Sequence, residues 1–131
     1  MHVTDSIHLD ATTGRAEARL FVDPDREYLR DHFPGAPVLP GLVMLQMAVC
    51  AASALLAGCA DATAVAELES LERLQVVRRV APGETLSVET RLIERTPDGA
   101  SAIFTADGRV GSETAMRARF RMRTLTAWST A

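Results

Sequence analysis

Residues 42–58 of this 131-residue chain read LVMLQMAVCAASALLAG, which is a long and almost entirely apolar segment. All its side chains are apolar except those of Gln46 and Ser53. The segment is rich in Ala, Leu and Met and has few β-branched residues, which favours a helix over a strand. It is shorter than the ~20 residues that span a bilayer and it follows a proline-rich loop, so we do not expect it to cross a membrane. A helix that is apolar on all sides should instead be enclosed by the rest of the domain.

The segments that flank this helix have the patterns of β-strands. Before it, Val3, Ile7 and Leu9 alternate imperfectly with polar residues, and a turn over 11–14 leads into a strand over 16–22. After it come four longer strand-like runs, 68–80, 86–95, 101–107 and 112–124, separated by Pro82-Gly83, Pro97-Asp98-Gly99 and Asp107-Gly108. These separators suit tight reversals between antiparallel strands. The order of elements predicts a single α+β domain over residues 1–131, in which an antiparallel sheet wraps the helix.

The composition narrows the classes of partner. With 47% hydrophobic residues and a net charge of −3, the chain fits one globular domain and has no overall positive charge that would attract nucleic acid or an anionic membrane. The two cysteines, Cys50 and Cys59, lack a second pair that would complete a metal site, so we expect free thiols in a reducing cytoplasm. No basic segment followed by an early apolar run indicates secretion.

The loop before the helix is the densest chemical signal. Residues 32–41 read HFPGAPVLPG, so prolines restrain a loop that presents the His32 imidazole beside a helix N-terminus. Backbone N–H groups at that end have no partners within the helix and can hold a carbonyl or oxyanion. An imidazole beside such a site can remove a proton α to a thioester, although a histidine in a loop is more often only a surface residue.

The string from His32 to Gly41 resembles the His-Phe-Pro-Gly-x-Pro-x-x-Pro-Gly signature of hot-dog-fold 3-hydroxyacyl-(acyl-carrier-protein) dehydratases of fatty-acid and polyketide synthesis. Every fixed position of the signature is present. The resemblance extends in outline over the strand pair, the central helix and the later hairpins. It implies a hot-dog fold and elimination of water from a 3-hydroxyacyl chain carried on acyl carrier protein. No metal and no organic cofactor is implied, because the thioester itself supplies the carbonyl that acidifies the α-proton.

The resemblance also assigns roles to residues of the signature. His32 would be the catalytic base, and the Gly41 amide at the helix start would polarise the thioester carbonyl. Phe33, Gly35 and Pro40 would line the substrate site with Gly41. In the family the site lies at a dimer interface, because a carboxylate on the helix faces the histidine of a partner subunit.

Gln46 departs from the family, since it stands where the family has the catalytic Glu or Asp. A Gln amide can donate a hydrogen bond to the leaving hydroxyl, but it has no titratable proton at neutral pH. Three interpretations remain open. The chain is a modified dehydratase that uses His32 with Gln46, or a subunit that pairs with a carboxylate-bearing homologue, or a protein that binds or hydrolyses acyl thioesters.

The helix carries its polar side chains in one line. Gln46, Cys50 and Ser53 are separated by four and three residues, which places them on one face. This face could line an acyl cleft, with Cys50 filling space beside the substrate, or it could form a packing contact that needs small or hydrogen-bonded residues. No histidine neighbours Cys50 in sequence, which argues against a nucleophile.

Arginines form a second pattern near the end of the chain. Arg117, Arg119, Arg121 and Arg123 recur at every second residue, so in a strand they share one face. This face can simply be solvated. Alternatively, Arg119 and Arg121, with Arg78 and Arg79, dock the acidic carrier protein or the phosphate of its prosthetic arm.

Overall fold

One helix and six strands make up the part of the chain that the computed structural model describes, residues 4–10, 12–25, 39–58 and 66–124. In chain order the elements are β1 (Ser6–Asp10), β2 (Arg15–Phe21), α1 (Gly41–Ala57), β3 (Ala66–Val76), β4 (Thr85–Arg95), β5 (Ser101–Val110) and β6 (Glu113–Thr124). The predicted order of two short strands, one helix and four longer strands is confirmed, and with it the α+β class.

The strands form one antiparallel sheet in the order β1-β2-β4-β5-β6-β3. Alternate side chains along the strands are buried on the face that receives α1, which is the period-two pattern of a sheet with one covered face. At the centre of this face Phe104 and Phe120 stack with their ring centroids 5.7 Å apart. The aliphatic and Ala-rich core packs around them between sheet and helix.

The sheet encloses most of α1, but not all of it. Buried helix side chains include those of Met44, Met47 and Ala51. Leu42, however, is 69% exposed, and Gln46 is also exposed. The helix is therefore wrapped on most sides, as expected, and one stripe of its surface stays open. Within the described residues, no helix has the length and apolarity that crossing a bilayer requires.

One predicted turn does not exist. Asp107-Gly108 lies inside β5, which continues to Val110. Gly108 is needed for close packing instead, because a Cβ atom there would lie 2.7 Å from the Cγ atom of Met116. The turns at Pro82-Gly83 and Pro97-Asp98-Gly99 are confirmed, and their glycines have φ angles of 89° and 72°.

β3 is an edge strand that departs from the regular two-residue period. It ends at Val76 rather than at the predicted residue 80. Register shifts fall between Leu68 and Ser70 and between Leu71 and Arg73, where the strand bulges. Because of these bulges Leu68, Leu71 and Leu74, spaced by three, all pair with core-facing residues of β6. Leu68 and Leu71 nevertheless remain 38% and 41% exposed, so this edge of the concave face is apolar and open.

Candidate functional site

The N-terminus of α1 has no side-chain cap. Pro40 occupies the cap position in an extended conformation, and the first turn contains no acidic residue. The Pro40 carbonyl accepts the amides of Val43 and Met44 at 3.0 and 3.3 Å. Within the described residues, nothing accepts a hydrogen bond from the amides of Gly41 or Leu42. Free N–H groups at a helix start, together with the positive end of the helix dipole, are suited to holding a carbonyl or anionic oxygen.

The position of the helix start is fixed by the segment that follows β3. The amide of Leu39 donates to the carbonyl of Val80 at 2.8 Å, and both side chains are buried. A Cβ atom on Gly41 would lie 3.1 Å from the Cγ2 atom of Val76, so the absence of a side chain lets the helix begin close against the end of β3. Pro40 and Gly41 therefore lie where the sequence predicted them, at a closely packed helix start.

Gln46 lies on the open stripe of α1. The stripe also includes exposed Leu42 and half-buried Cys50 and Ser53, so the predicted polar line is on the side that the sheet leaves uncovered. The Gln46 side chain makes no hydrogen bond to any residue in the described ranges. Among the described residues, the Gln46 side chain is therefore exposed and without a partner.

Cys50 is half-buried on the open stripe of α1. Burial raises the pKa of its thiol, which disfavours the thiolate that a nucleophile requires. It forms no disulfide in the described part of the chain. The role of Cys50 as a residue that fills space beside Gln46 stays a prediction.

The arginines of β6 lie on the outer face of the sheet, opposite the helix, while Ala118, Phe120 and Met122 between them are buried. Three of them form ion pairs: Arg117 with Asp107 at 3.8 Å, Arg119 with Glu72 at 2.8 Å, and Arg123 with Glu67. Arg121 has no ion pair within 66–124 or the other described ranges. The stripe is therefore a solvated face on which most of the charge is already compensated.

Arg78 is bound by two carboxylates rather than exposed for docking. Its guanidinium forms a two-pronged pair with Glu84 at 2.9 and 2.7 Å and reaches Glu113 at 3.3 Å. The hydrogen bonds from Arg78 and from the Ala81 amide lower the pKa of Glu84 to about 2. Arg79 is exposed and forms no ion pair among the residues described. This network was not predicted from the sequence. The sequence indicates it only through an Arg and a Glu on either side of the Pro82-Gly83 turn.

His32, Phe33 and Gly35 lie outside the described residues. Of the predicted catalytic and substrate-binding set, Pro40, Gly41, Gln46 and Cys50 are described. Pro40 directly precedes α1 and the other three lie on it. Within the described ranges, no three His, Cys, Asp or Glu side chains are grouped so that they could hold a metal ion.

Comparison with known families settles the relationship of the chain. Residues 8–116, most of the chain, match the ApeI-like family, described as ApeI dehydratase. The chain belongs to the ApeI-like dehydratase family. The match begins in β1 and ends near the start of β6, so it includes the signature, the helix and strands β2 to β5.

Other relatives of this ApeI-like chain are 3-hydroxyacyl-(acyl-carrier-protein) dehydratases named FabZ. The protein from Oenococcus oeni is 31% identical over 97 residues, which are 72% of this chain and 70% of the relative. The protein from Moorella thermoacetica is 36% identical over 81 residues, which are 61% and 57% of the two chains. The chain thus spans little more than half the length of several curated relatives, 52% in the case of Desulforamulus reducens.

A solved structure confirms the hot-dog fold. The dehydratase heterocomplex ApeI:P from Xenorhabdus doucetiae superposes on the ApeI-like chain with a TM-score of 0.65. The superposition covers 92% of this chain and 96% of the other at 22% sequence identity. At that identity the likeness establishes the fold and leaves the chemistry to the residues of the site.

Proposed function

We propose that this chain eliminates water from a 3-hydroxyacyl chain carried on acyl carrier protein, in fatty-acid or polyketide biosynthesis. The observation that carries the proposal is the complete signature at residues 32–41, which leads directly into a helix start without a side-chain cap. Membership of the ApeI-like dehydratase family supports the same reaction.

The proposed step begins with the thioester carbonyl of the substrate accepting a hydrogen bond from the Gly41 amide. Withdrawal of charge by this amide and the helix dipole makes the α-proton more acidic. His32 removes that proton, the C–O bond to the 3-hydroxyl breaks, and the electron pair of the C–H bond becomes the new C=C bond. Phe33, Gly35 and Pro40 shape the site around the acyl chain, and Cys50 fills the space beside it.

Gln46 positions the leaving hydroxyl in this proposal. The departing oxygen must gain a proton to leave as water, and a Gln amide has none to give at neutral pH. The imidazolium of His32 or a bound water must therefore supply it. A general acid typically contributes 10²–10⁴-fold to such a step, so this chain should be slower than a relative that has a carboxylate.

The functional unit that we propose is a dimer. β3 is an 11-residue edge strand, and its exposed leucines continue the apolar concave face. Long edges of this kind tend to pair with another strand, whereas β1, at the other edge, has only five residues. A second chain at β3 would also approach the open stripe of α1 that carries Leu42 and Gln46.

A second candidate assembly is a pair formed with a homologue that has the carboxylate. Gln46 favours this alternative, and the related ApeI:P structure from Xenorhabdus doucetiae is itself a dehydratase heterocomplex. In such a pair His32 of this chain would face the carboxylate of the homologue.

The carrier protein is proposed to dock at arginines of β6 and at the neighbouring Arg79. We also propose a cytoplasmic location, in which a free thiol such as that of Cys50 stays reduced. Arg78 and Arg119 are held by carboxylates of this chain. Arg79 and Arg121 are therefore the arginines to replace first in a binding measurement with carrier protein.

The reaction is tested by incubating the purified full chain with a 3-hydroxyacyl carrier-protein thioester and measuring the product mass. Loss of one water supports the proposal. Release of free acid and carrier thiol identifies a thioesterase and overturns it. If neither occurs, activity on adding a carboxylate-bearing homologue identifies the mixed pair, and continued inactivity rejects elimination altogether.

His32→Ala is the control for this assay. We expect loss of roughly 10²–10⁴-fold in the elimination rate, because the base is removed. The thermal unfolding of the variant should stay close to that of the parent chain. Retained turnover would remove His32 from the role of base.

A further inference from the structure

Arg78 and Glu84 form the least exposed ion pair of the described residues. Their side chains are each 27% exposed, whereas those of Arg119 and Glu72 are 44% and 38% exposed. The two guanidinium nitrogens Nη1 and Nη2 donate to the two carboxylate oxygens, a planar geometry that Lys cannot reproduce. The pair spans the Pro82-Gly83 turn between β3 and β4.

The pair binds both peptide groups that flank Val80. Nη1 of Arg78 donates to the carbonyl of Arg79 at 2.8 Å. Oε1 of Glu84 accepts the amide of Ala81, also at 2.8 Å. The conformation of the backbone around Val80 is thus held from both sides by one pair of side chains.

The second of these peptide groups, between Val80 and Ala81, also holds the segment that enters α1. The N–H side of the Val80–Ala81 peptide donates to Glu84, while its C=O side accepts the amide of Leu39 at 2.8 Å. Leu39 precedes Gly41 by two residues. One rigid peptide plane therefore separates the Glu84 carboxylate from the backbone that leads into the helix start.

Two further contacts extend the network. The amides of Val77 and Arg78 donate to the carbonyl of Ala115 on β6, and Nε of Arg78 reaches Glu113 beside it. The amide of Gly83 donates to the carbonyl of Val22, so the segment is also attached to the end of β2. The network thus connects the helix start to the sheet on both sides.

We propose that Arg78 and Glu84 are positioning residues for the proposed dehydration, and that their ion pair holds the Val80 peptide that fixes Leu39 and, through it, the Gly41 amide. The inference rests on the proposed function for its catalytic part. The described ion pairs that do not involve Arg78 lie on strand faces and make no such contact with the segment that enters α1. This sets the pair of Arg78 and Glu84 apart from surface pairs of small effect.

The test compares Arg78→Met, Glu84→Ala and Glu84→Gln with a matched control, Arg19→Met. Arg19 forms an exposed pair with Glu17 on β2, far in sequence from the Val80 segment. Glu84→Gln keeps an oxygen that can accept the Ala81 amide, so it should be the mildest of the three. All measurements are made well below the melting temperature of the least stable variant.

Hydrogen exchange tests, without any substrate, whether the ion pair holds the segment that enters α1. We expect the Leu39 amide to exchange faster in Arg78→Met and Glu84→Ala, with little change in Glu84→Gln and none in Arg19→Met. The Gly58 amide, bonded to Ala54 at the opposite end of the helix, should be unaffected and is the internal control. Unchanged protection of Leu39 in Arg78→Met and Glu84→Ala overturns the proposal.

Steady-state kinetics test whether the ion pair positions the Gly41 amide for the proposed dehydration. Misplacement of a catalytic group by a fraction of an ångström should lower kcat by about tenfold in Arg78→Met and Glu84→Ala, with a smaller change in KM. A lower melting temperature with unchanged kcat would show a merely structural pair and overturn the positioning role. If the parent chain does not eliminate water at all, the proposed function fails, and the exchange result alone still decides whether the pair holds the helix start.

Discussion

The two ends of α1 are built in opposite ways. At the C-terminus Gly58 adopts a left-handed conformation, with φ 73°, and its amide donates to the carbonyls of Ala54 and Leu55. At the N-terminus Pro40 provides no side-chain acceptor, and the amides of Gly41 and Leu42 have no acceptor within the described residues. The first end is capped by its own backbone, while the second has two amide donors without an acceptor in the part of the chain that the structure describes.

This difference indicates how stability and function are divided along one helix. The C-terminal cap is a local backbone device that needs only a glycine. The N-terminal end is instead held from outside, by Val76, by Val80 and by the network of Arg78 and Glu84. If the Gly41 amide binds the substrate as proposed, this end cannot also be capped, and its position has to come from its neighbours.

The largest effect is expected from restoring a carboxylate near the N-terminal end. Gln46→Glu should raise the dehydration rate by roughly 10²-fold if the missing acid limits the homodimer, because the Glu can protonate the leaving hydroxyl. The measurement is the rate of water loss from a 3-hydroxyacyl carrier-protein thioester. Ser53→Glu, a carboxylate on the same helix face but seven residues further on, is the control and should give no increase. An unchanged rate in Gln46→Glu would reject the account of Gln46 as the limitation.

The next effect tests the close approach at the helix start. Gly41→Ala places a Cβ atom about 3.1 Å from Val76, so either the strand end or the amide has to move by a few tenths of an ångström. We expect kcat to fall roughly tenfold, because the amide no longer meets the thioester carbonyl in line. The double variant with Val76→Ala removes the crowded methyl groups and should recover most of the activity. No recovery would mean that the new methyl group itself blocks the substrate.

The helix and its polar line could be predicted because both depend on local pattern. Residue composition alone distinguishes residues 42–58 from a strand, and the spacing of Gln46, Cys50 and Ser53 places them together whatever surrounds the helix. The signature at 32–41 could be identified for the same reason, although the structure does not describe residues 32–38. The turns at Pro82-Gly83 and Pro97-Asp98-Gly99 also follow from backbone preferences of the residues in them.

The errors arose where packing overrides local preference. Asp107-Gly108 has the composition of a turn, yet the space beside Met116 requires a glycine inside β5. The bulges of β3 were missed because a three-residue spacing of leucines contradicts the period of a regular strand. The pairing of Arg78 with Glu84 depends on the conformations of two long side chains, which cannot be derived from the local sequence. No local pattern therefore indicated that Glu84 holds the Arg78 side chain.

The C-terminal end of α1 should affect stability alone. Gly58→Ala forces an L-residue into a left-handed conformation at a position where no described atom crowds the new Cβ, so we expect a cost of about 1–2 kcal/mol in the free energy of unfolding. Urea unfolding at one protein concentration measures it. Gly99→Ala, at φ 72° in an open hairpin turn, is the matched control and should cost about the same. A fall in kcat of the folded Gly58→Ala protein would contradict the division between the two ends.

The smallest expected effect is the change in the free energy of unfolding with pH, to which the two ends of α1 should contribute differently. The N-terminal support contains a titrating group, whereas the Gly58 cap consists of backbone only. Because hydrogen bonds from Arg78 and Ala81 hold the pKa of Glu84 at about 2, below its ordinary value of 4.5, the ionised form favours the folded state. The unfolded chain then takes up more protons as the pH falls, so this contribution is complete above about pH 4.5 and is lost as the pH approaches 2. We therefore expect the stability difference between the parent chain and Glu84→Gln, measured by urea unfolding, to shrink over that interval. When Arg78 is replaced by Met in both proteins, the difference in their free energies of unfolding should be smaller and should change less with pH. If the difference between the parent chain and Glu84→Gln stays constant from neutral pH to acid, the ion pair does not hold this end of the helix.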